Sequence, residues 1–153
     1  MNHPDIETNY LKNNALNMFF LSIFFIVSAA WPFIDRQAIP GAIYILMSLG
    51  LLAIIITALT FGLKSIKGLS KEHKQAFWYG QFSDEYLNFV NLQGYKYAFN
   101  IAISALLITW LTAILGFSLT FQINTLLMVH ALLAIIFLSY SLRVLYLLRA
   151  EDE

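Results

Sequence analysis

The chain has 153 residues, no cysteine, no net charge, 59% hydrophobic residues and only 12% charged residues. Soluble domains contain roughly 45–50% apolar and about 25% charged residues, and a domain of this size cannot bury such an apolar excess in one core. The composition therefore excludes a soluble globular enzyme, a disordered chain, a disulfide scaffold and thiol chemistry. The balanced charge gives no reason to expect nucleic-acid binding. A small protein that crosses a membrane several times is predicted.

Three uncharged stretches, 13–34, 37–63 and 97–142, contain the predicted membrane spans. A bilayer core needs about 20 apolar residues per helix, so each of the first two stretches holds one span. The third holds two spans, which the polar, turn-prone interval 116–125 separates. Backbone groups in lipid must bond within their own segment, and the alternation of a membrane β-strand is not found in these stretches. The fold is therefore predicted to be all-α, a single domain over 1–153 with four transmembrane helices at about 14–34, 42–63, 97–117 and 123–146.

The first helix has an acidic start, where Pro4, Asp5 and Glu7 follow one another closely. Proline suits the first turn of a helix, and carboxylates there complement the positive end of the helix dipole. Asp5 and Glu7 are therefore predicted to stabilise the start of this same helix. The residues predicted to contact neighbouring helices or lipid headgroups are Asn14, Asn17 and Asn100.

Basic residues and tyrosines predict the orientation in the membrane. All basic residues except Arg36 lie in the N-terminal segment, the second loop or the C-terminal tail, and these three parts share one side if four spans are crossed. The positive-inside rule places that side in the cytoplasm. All tyrosines except Tyr44 fall toward the same face, where aromatic residues anchor spans. A multi-pass protein of the inner (plasma) membrane with cytoplasmic termini is predicted.

The cytoplasmic linker 64–96 is the one sizeable polar stretch, and it leads into the third span. The motif Ser83-Asp84-Glu85 is typical of a helix start, and no proline follows it before position 117. One helix from about 84 to 117 is predicted, which at 1.5 Å per residue is about 50 Å long, so its first turns project into the cytoplasm. Gly94 is the position where this helix is weakest.

Two interpretations of the linker remain open. In the first, it is a solvated basic loop with an interfacial helix, which contacts anionic lipid headgroups. In the second, it is a docking site for a cytoplasmic partner, which uses aromatic side chains at the start of the third helix. The candidate residues of this cytoplasmic interaction segment are Lys71, Lys74, Trp78, Asp84, Glu85, Tyr86 and Phe89.

Small residues recur at helical spacing on the second and third spans. Such residues let helix backbones approach closely in lipid, so they predict a packing face. The alternative is a stripe that lines a pore. The members of this predicted packing face are Gly50, Ala53 and Thr57 on the second span and Ala98, Ala102, Ala105 and Gly116 on the third.

His130 is the one strongly titratable side chain within the predicted membrane core. Ionisable residues at this depth are candidates for function, and the hypothesis is a layer of polar side chains around His130 in the outer half of the bundle. The alternative is a neutral histidine that bonds to one hydroxyl. The other members of this hypothetical polar layer, at the same predicted depth, are Ser28, Ser48, Thr109 and Thr112.

Motifs for catalysis or metal binding are missing from the sequence: there is no Gly-rich phosphate loop, His-Glu-x-x-His helix or Gly-x-Ser-x-Gly turn. No metal or cofactor is expected, because a metal or haem needs several ligands and His3 and His73 lie far from His130 in the chain. The predicted function is a non-catalytic accessory or interaction protein that acts as a homo-oligomer or beside a membrane or cytoplasmic partner. The alternatives are a small channel or transporter formed by self-association, with His130 facing the path, and a membrane enzyme that acts on lipid.

The third helix carries a short motif, Ser83-Asp84-Glu85 followed by Val90, Gly94, Ala98 and Phe99, which leads directly into a span. This order resembles a loose group of prokaryotic four-helix membrane proteins with two helices, a cytoplasmic linker, an Asp-Glu-Arg start and two more helices. Tyr86 stands where that group has arginine. The resemblance implies the four-helix topology over the whole chain, and it implies no particular reaction.

Overall fold

The computed structural model describes residues 3–34, 39–66, 81–114 and 125–151. Within these ranges all regular structure is helical, which confirms the predicted all-α class. The elements are α1 (His3–Ala30), a short 3-10 helix (Trp31–Phe33), α2 (Gly41–Ile66), α3 (Glu85–Ile114) and α4 (Thr125–Glu151).

Three of the four long helices in the described ranges are long and apolar enough to cross a membrane. The qualifying segments are Ile6–Ala30, Gly41–Ile66 and Leu127–Ala150, with mean hydropathies of 1.5, 2.5 and 2.1. They support the prediction of a membrane protein. α3 is not among them, because its first half carries polar residues such as Asn91 and Lys96.

Neighbouring helices run antiparallel. Phe20 of α1 stacks on Phe61 of α2 with ring centroids 5.6 Å apart, while Trp31, just beyond α1, packs on Tyr44 near the start of α2 at 5.2 Å. α4 likewise runs antiparallel to both α1 and α3. We call the end where α1 and α3 begin and α2 and α4 finish the proximal end, and the opposite end the distal end.

In space the helices follow the order α2, α1, α4, α3. α1 packs against both α2 and α4, and α4 packs against both α1 and α3. Among the described residues, α2 makes substantial contacts with α1 only, and α1 touches α3 far less than it touches α4. The helices therefore form an open row with α2 at one edge, rather than a ring around a central axis.

The buried core lies in the proximal half of the row. Leu11, Val90 and Val144 are fully buried in a cluster that α1, α3 and α4 build together. Where such a core lies within lipid, burial adds little hydrophobic driving force, so the packing there depends on close contacts and interhelical hydrogen bonds. Any part of the core that projects beyond the bilayer is also stabilised by its burial from water. The other buried members of the cluster are Ala15, Phe82, Leu87, Ala98, Tyr140 and Leu148.

Gly94 allows α3 and α4 to approach each other in this core. A Cβ atom added to Gly94 would lie 2.6 Å from Cγ2 of Val144 and 2.9 Å from Cδ2 of Tyr140, closer than real Cβ contacts allow. The sequence marks Gly94 as the weakest position of the third helix, yet α3 continues through it without a break. This position needs a glycine because α4 lies directly against it.

Candidate functional site

Polar side chains of α1, α3 and α4 meet at the proximal end in a set of contacts that we call the proximal polar network. Elsewhere in the described chain, the buried polar side chains are serines whose hydroxyls donate to carbonyl groups of their own helices. The network is therefore the one place in the described residues where buried polar groups connect different helices. Its members are Glu7, Asn14, Asp84, Tyr86, Asn88, Asn91 and Tyr140.

Glu7 of α1 caps the start of α3. Its side chain is only 3% exposed. Oε1 accepts a hydrogen bond from the Ser83 N–H at 3.0 Å, and Oε2 accepts from Ser83 at 3.1 Å and from the Asp84 N–H at 3.3 Å. Amides at a helix start lack partners in their own helix, and a carboxylate there also complements the helix dipole. The sequence predicts that Glu7 stabilises the start of its own helix. In the structure its carboxylate instead binds the start of α3, which lies much later in the chain.

Asp84 and Asn88 complete the start of α3. Oδ1 of Asp84 accepts hydrogen bonds from the N–H groups of Tyr86 and Leu87 at 2.7 and 3.3 Å, so Asp84 is the N-cap. Asn88 pairs with the backbone of Phe82, whose N–H donates to Oδ1 and whose carbonyl accepts from Nδ2, both at 2.6 Å. The helix start predicted at about 84 therefore agrees with the structure within one residue.

Tyr140 connects three helices. Its side chain is 4% exposed, and its hydroxyl donates to Oδ1 of Asn91 at 2.7 Å and accepts a longer hydrogen bond from Nδ2 of Asn14 at 3.4 Å. Tyr95 packs against its ring with centroids 4.9 Å apart. Because the hydroxyl both donates and accepts, these contacts fix the rotation of α1, α3 and α4 relative to one another.

The predicted cytoplasmic interaction segment is described only in its second half. Its members outside the described residues are Lys71, Lys74 and Trp78. Tyr86 is half-buried, and its hydroxyl donates to the carbonyl of Leu147 at 2.8 Å, which ties α3 to the last turns of α4. Asp84 is engaged as the N-cap. Glu85 and Phe89 are exposed, so within the described part they are the segment residues that face outward.

His130 packs against α1. Its ring lies edge-on to Phe25 with centroids 5.6 Å apart, and the side chain is half-buried. Ser28 is half-buried on the same helix as Phe25. Ser48 belongs to α2, which packs against α1 rather than against α4. The structure therefore brings His130 next to an aromatic ring of α1 and leaves Ser48 on a helix that is not its neighbour.

Three hydroxyls of the hypothetical polar layer, those of Ser48, Thr109 and Thr112, bond within their own helices. Ser48 donates to the Tyr44 carbonyl at 2.9 Å, Thr109 to the Ala105 carbonyl at 2.8 Å, and Thr112 to the Thr109 carbonyl at 2.8 Å. A bond to the carbonyl three or four residues back is the usual way in which a hydroxyl is satisfied inside an apolar helix. These contacts give the hydroxyls partners without bringing the helices together.

The predicted packing face behaves differently on its two helices. On α3, Ala98 is buried in the core, and Ala102 and Ala105 are half-buried. Gly116 lies outside the described residues. In the described part of α3, Ala98 is therefore the residue of this predicted face that belongs to the buried core.

On α2 the same predicted face is open. Gly50 and Ala53 are exposed, Thr57 is half-buried, and a Cβ atom on Gly50 would have nothing within 4 Å. α2 instead approaches α1 at Gly62, where a Cβ atom would lie 3.2 Å from Nδ2 of Asn17. The close contact between these two helices therefore lies near the proximal end, at a glycine that the small-residue pattern does not include.

The chemistry of the proximal polar network is that of a structural contact. Buried side-chain nitrogen and oxygen atoms in the described chain all have hydrogen-bond partners. In the same residues no group of three His, Asp or Glu side chains is placed to hold a metal ion. The groups of the network bond to one another and to backbone groups of three helices.

Sequence reasoning missed the partners of Glu7 and the pairing of Asn91 with Tyr140. The sequence carries one signal for the first: Glu7 precedes the apolar residues Leu11 and Ala15 at intervals of four, so the three share one face of the helix. In the structure all three are buried. A carboxylate on that face has to meet a neighbouring helix. No comparable signal marks Tyr140, because its partners lie on helices distant in sequence.

Comparison with known proteins adds no relative. No protein-family model matches the chain, and no curated protein or solved structure is significantly similar to it. The resemblance to prokaryotic four-helix membrane proteins therefore stays a prediction, and function has to be inferred from the geometry of the chain itself.

Proposed function

We propose that the chain is a non-catalytic accessory protein of the inner (plasma) membrane. It associates through α2 with a transmembrane helix that belongs to a second copy of the chain or to another membrane protein. Both termini and the linker 64–96 face the cytoplasm. This orientation is supported by the basic residues, all of which except Arg36 then lie on the cytoplasmic side.

In this proposal α3 is the fourth crossing. It packs antiparallel along α4, so the part of α3 beside the apolar segment Leu127–Ala150 shares its depth in the bilayer. Lys96 marks the point beyond which the described part of α3 has no charged residue. From there on the helix exposes large apolar side chains, as a helix in lipid does, namely Phe99, Ile103, Leu106, Leu107, Ile108, Trp110 and Leu111.

The open face of α2 is the observation that carries the proposal. This helix has the highest mean hydropathy of the three candidate spans, 2.5, and packs substantially against α1 only within the described chain. Gly50 and Ala53 interrupt the face with small residues, over which a second helix backbone can come close. The large apolar side chains around these small residues are 47–69% exposed and are Ile43, Leu46, Leu49 and Ile56.

Co-purification in mild detergent tests the association. Two differently tagged copies of the chain are expressed together, one tag is captured, and mass spectrometry identifies what is recovered with it. We expect the second tag or a defined membrane protein to be recovered with the wild-type chain. A chain that is recovered alone, at detergent concentrations that keep other membrane complexes intact, would overturn the proposal.

A matched pair of variants locates the contact. Gly50→Leu adds bulk where a second helix would lie, and it should lower the recovery of the partner several-fold, because small residues are what allows close approach. Leu59→Phe adds bulk at another exposed position of α2, about half a turn around the helix from Gly50, and recovery should stay near the wild-type level. Circular dichroism of both variants checks that the helices are retained. Equal losses in the two variants would contradict a contact at Gly50.

A further inference from the structure

A groove lies between α3 and α4 on the outside of the helix row. Its lining changes along its length from polar and aromatic at the proximal side to apolar toward the distal side. The residues that line it are Tyr97 and Ile101 from α3 and Leu138, Ser139, Leu142, Arg143 and Tyr146 from α4. Ser139 adds little polarity to the groove, because its hydroxyl already donates to the Ile135 carbonyl at 2.6 Å.

The groove lies at the level where both helices change character. On α3 the last charged residue before the apolar half is Lys96, and on α4 the first charged residue after the apolar half is Arg143. Tyr97 and Tyr146 stand at this same level, and tyrosines are enriched where a membrane meets water. The proximal side of the groove therefore lies at headgroup depth if α4 crosses the membrane, and its distal side faces the acyl chains.

Arg143 presents a cation to this groove. The guanidinium carbon lies 5.9 Å from the ring centroid of Tyr97 and 6.0 Å from that of Tyr146, so the two rings hold the side chain in place by cation–π contacts. Within the described residues no carboxylate pairs with it. The acidic residues of the two helices, Glu85 and Glu151, lie more than two turns away along their helices.

These features match the chemistry of a phospholipid. A guanidinium group presents several N–H donors in one plane and binds phosphate oxygens in pairs. Lys96 is exposed beside Tyr97 and adds a second positive charge at the same level. The apolar continuation of the groove along Ile101 and Leu138 suits an acyl chain. A free phosphate ion would use the polar side only, whereas a lipid uses both.

We propose that this groove binds one glycerophospholipid, with its phosphate on Arg143 and one acyl chain along Ile101, Leu138 and Leu142. Lipids with an anionic headgroup are preferred, because the local charge is positive. The site depends on α4 crossing the membrane, and it does not depend on the association of α2 with another helix.

Native mass spectrometry of the purified chain in detergent tests this site. The chain is stripped of lipid and then mixed with phosphatidylglycerol, with phosphatidylcholine or with inorganic phosphate. We expect one bound phosphatidylglycerol per chain, several-fold weaker retention of phosphatidylcholine, and no displacement of lipid by millimolar phosphate. Equal retention of both lipids would remove the charge preference, and displacement by inorganic phosphate would overturn the lipid assignment.

Arg143→Gln should lower the retention of phosphatidylglycerol about tenfold, as expected when a charged hydrogen bond is lost. Arg149→Gln removes the same charge from an exposed position of the same helix outside the groove, and retention should stay within about twofold of wild type. Ile101→Trp leaves the cation in place and fills the acyl part of the groove, so it keeps the proposal testable even where Arg143→Gln fails to fold. Unchanged retention in a folded Ile101→Trp variant, or equal losses in the two arginine variants, would reject the site.

Discussion

The proximal half of α1, α3 and α4 and the open face of α2 are built by opposite means. The first region is packed around Leu11, Val90 and Val144 and joined by hydrogen bonds that link all three helices. The second carries large apolar side chains in open positions and small residues with nothing against them. Polar contacts thus connect three helices at the proximal end, while α2 packs substantially against α1 only among the described helices.

The two regions differ in the kinds of contact that bring their helices together. Between helices in lipid, an apolar side chain gains little by leaving the acyl chains, so apolarity alone does not bring helices together. A hydrogen bond between two helices, or a glycine that lets two backbones meet, does favour a specific pairing. The proximal half has both interhelical hydrogen bonds and a glycine at a close helix contact, Gly94. In the described part of α2, the close glycine contact is that of Gly62 with Asn17. Variants can therefore weaken one region without touching the other.

The largest effect is expected from Gly94→Leu. A Cβ atom there would lie 2.6 Å from Val144 and 2.9 Å from Tyr140, so these side chains or the two helices have to move. Overpacking of this kind costs about 1–3 kcal/mol of unfolding free energy, and we expect a loss near the upper end of that range. Unfolding in detergent, followed by circular dichroism, measures the loss. Gly50→Leu is the counterpart on the open face, and its unfolding free energy should change by less than about 1 kcal/mol, in the stabilising direction. Similar losses for both variants would erase the contrast between the regions.

Glu7→Gln should have the next largest effect. The substitution keeps the shape of the side chain but removes the charge that faces the start of α3, and charged hydrogen bonds contribute about 1.5–3 kcal/mol. We expect a loss of unfolding free energy near the lower end of that range, with faster hydrogen exchange at the Ser83 and Asp84 amides. Glu85→Gln removes a carboxylate from an exposed position of the same region and should change stability by less than about 0.5 kcal/mol. Unaltered exchange at Ser83 and Asp84 would show that Glu7 does not cap α3.

Tyr140→Phe should produce a smaller loss. It removes the hydroxyl that joins Asn91 to Asn14, and interhelical hydrogen bonds in membrane proteins contribute about 0.6 kcal/mol on average and about 1.7 kcal/mol at most. The unfolding free energy in detergent should fall within that range. Tyr146→Phe removes a hydroxyl from an exposed tyrosine of the same helix, so its stability should be close to that of the wild type. A loss for Tyr146→Phe as large as that for Tyr140→Phe would contradict the assigned contacts.

The smallest effect on stability, and the sharpest test of the open face, is expected from Gly50→Cys. The natural chain has no cysteine, so any disulfide formed under mild oxidation must involve the new residue. A second copy packed at this face should give a cross-linked dimer, because a disulfide needs Cα atoms about 4.4–6.8 Å apart. Leu59→Cys, on another side of α2, should cross-link much less. A dimer that forms equally well from both variants would indicate random collision in the detergent.

The sequence predicts where the helices lie in the chain better than it predicts which helices pack against each other. α1, α2 and α4 could be located from stretches without charge, since a span has to be apolar whatever it packs against. The start of α3 could be placed within one residue, because Asp84 marks a cap locally. The row of helices and the edge position of α2 could not be predicted, because pairing depends on which faces meet and not on composition.

The candidate site shows the same limit. Counting residues places His130 and Ser48 at the same depth in the membrane, but it does not show which way each helix is rotated. Ser48 bonds to its own helix, and His130 packs on Phe25. The sequence indicates only that Gly94 is a poor helix former. It does not show that Val144, a residue on another helix, lies directly against this glycine. A single sequence does not show which distant segments of the chain contact each other.

The capping of α3 by Glu7 has a consequence for biogenesis. Glu7 is made well before the amides that it binds, because these belong to Ser83 and Asp84, which follow two apolar helices in the chain. The start of α1 therefore has to stay within reach of the place where α3 begins until α3 has been made. A bulky domain fused directly before α1 would obstruct this late step.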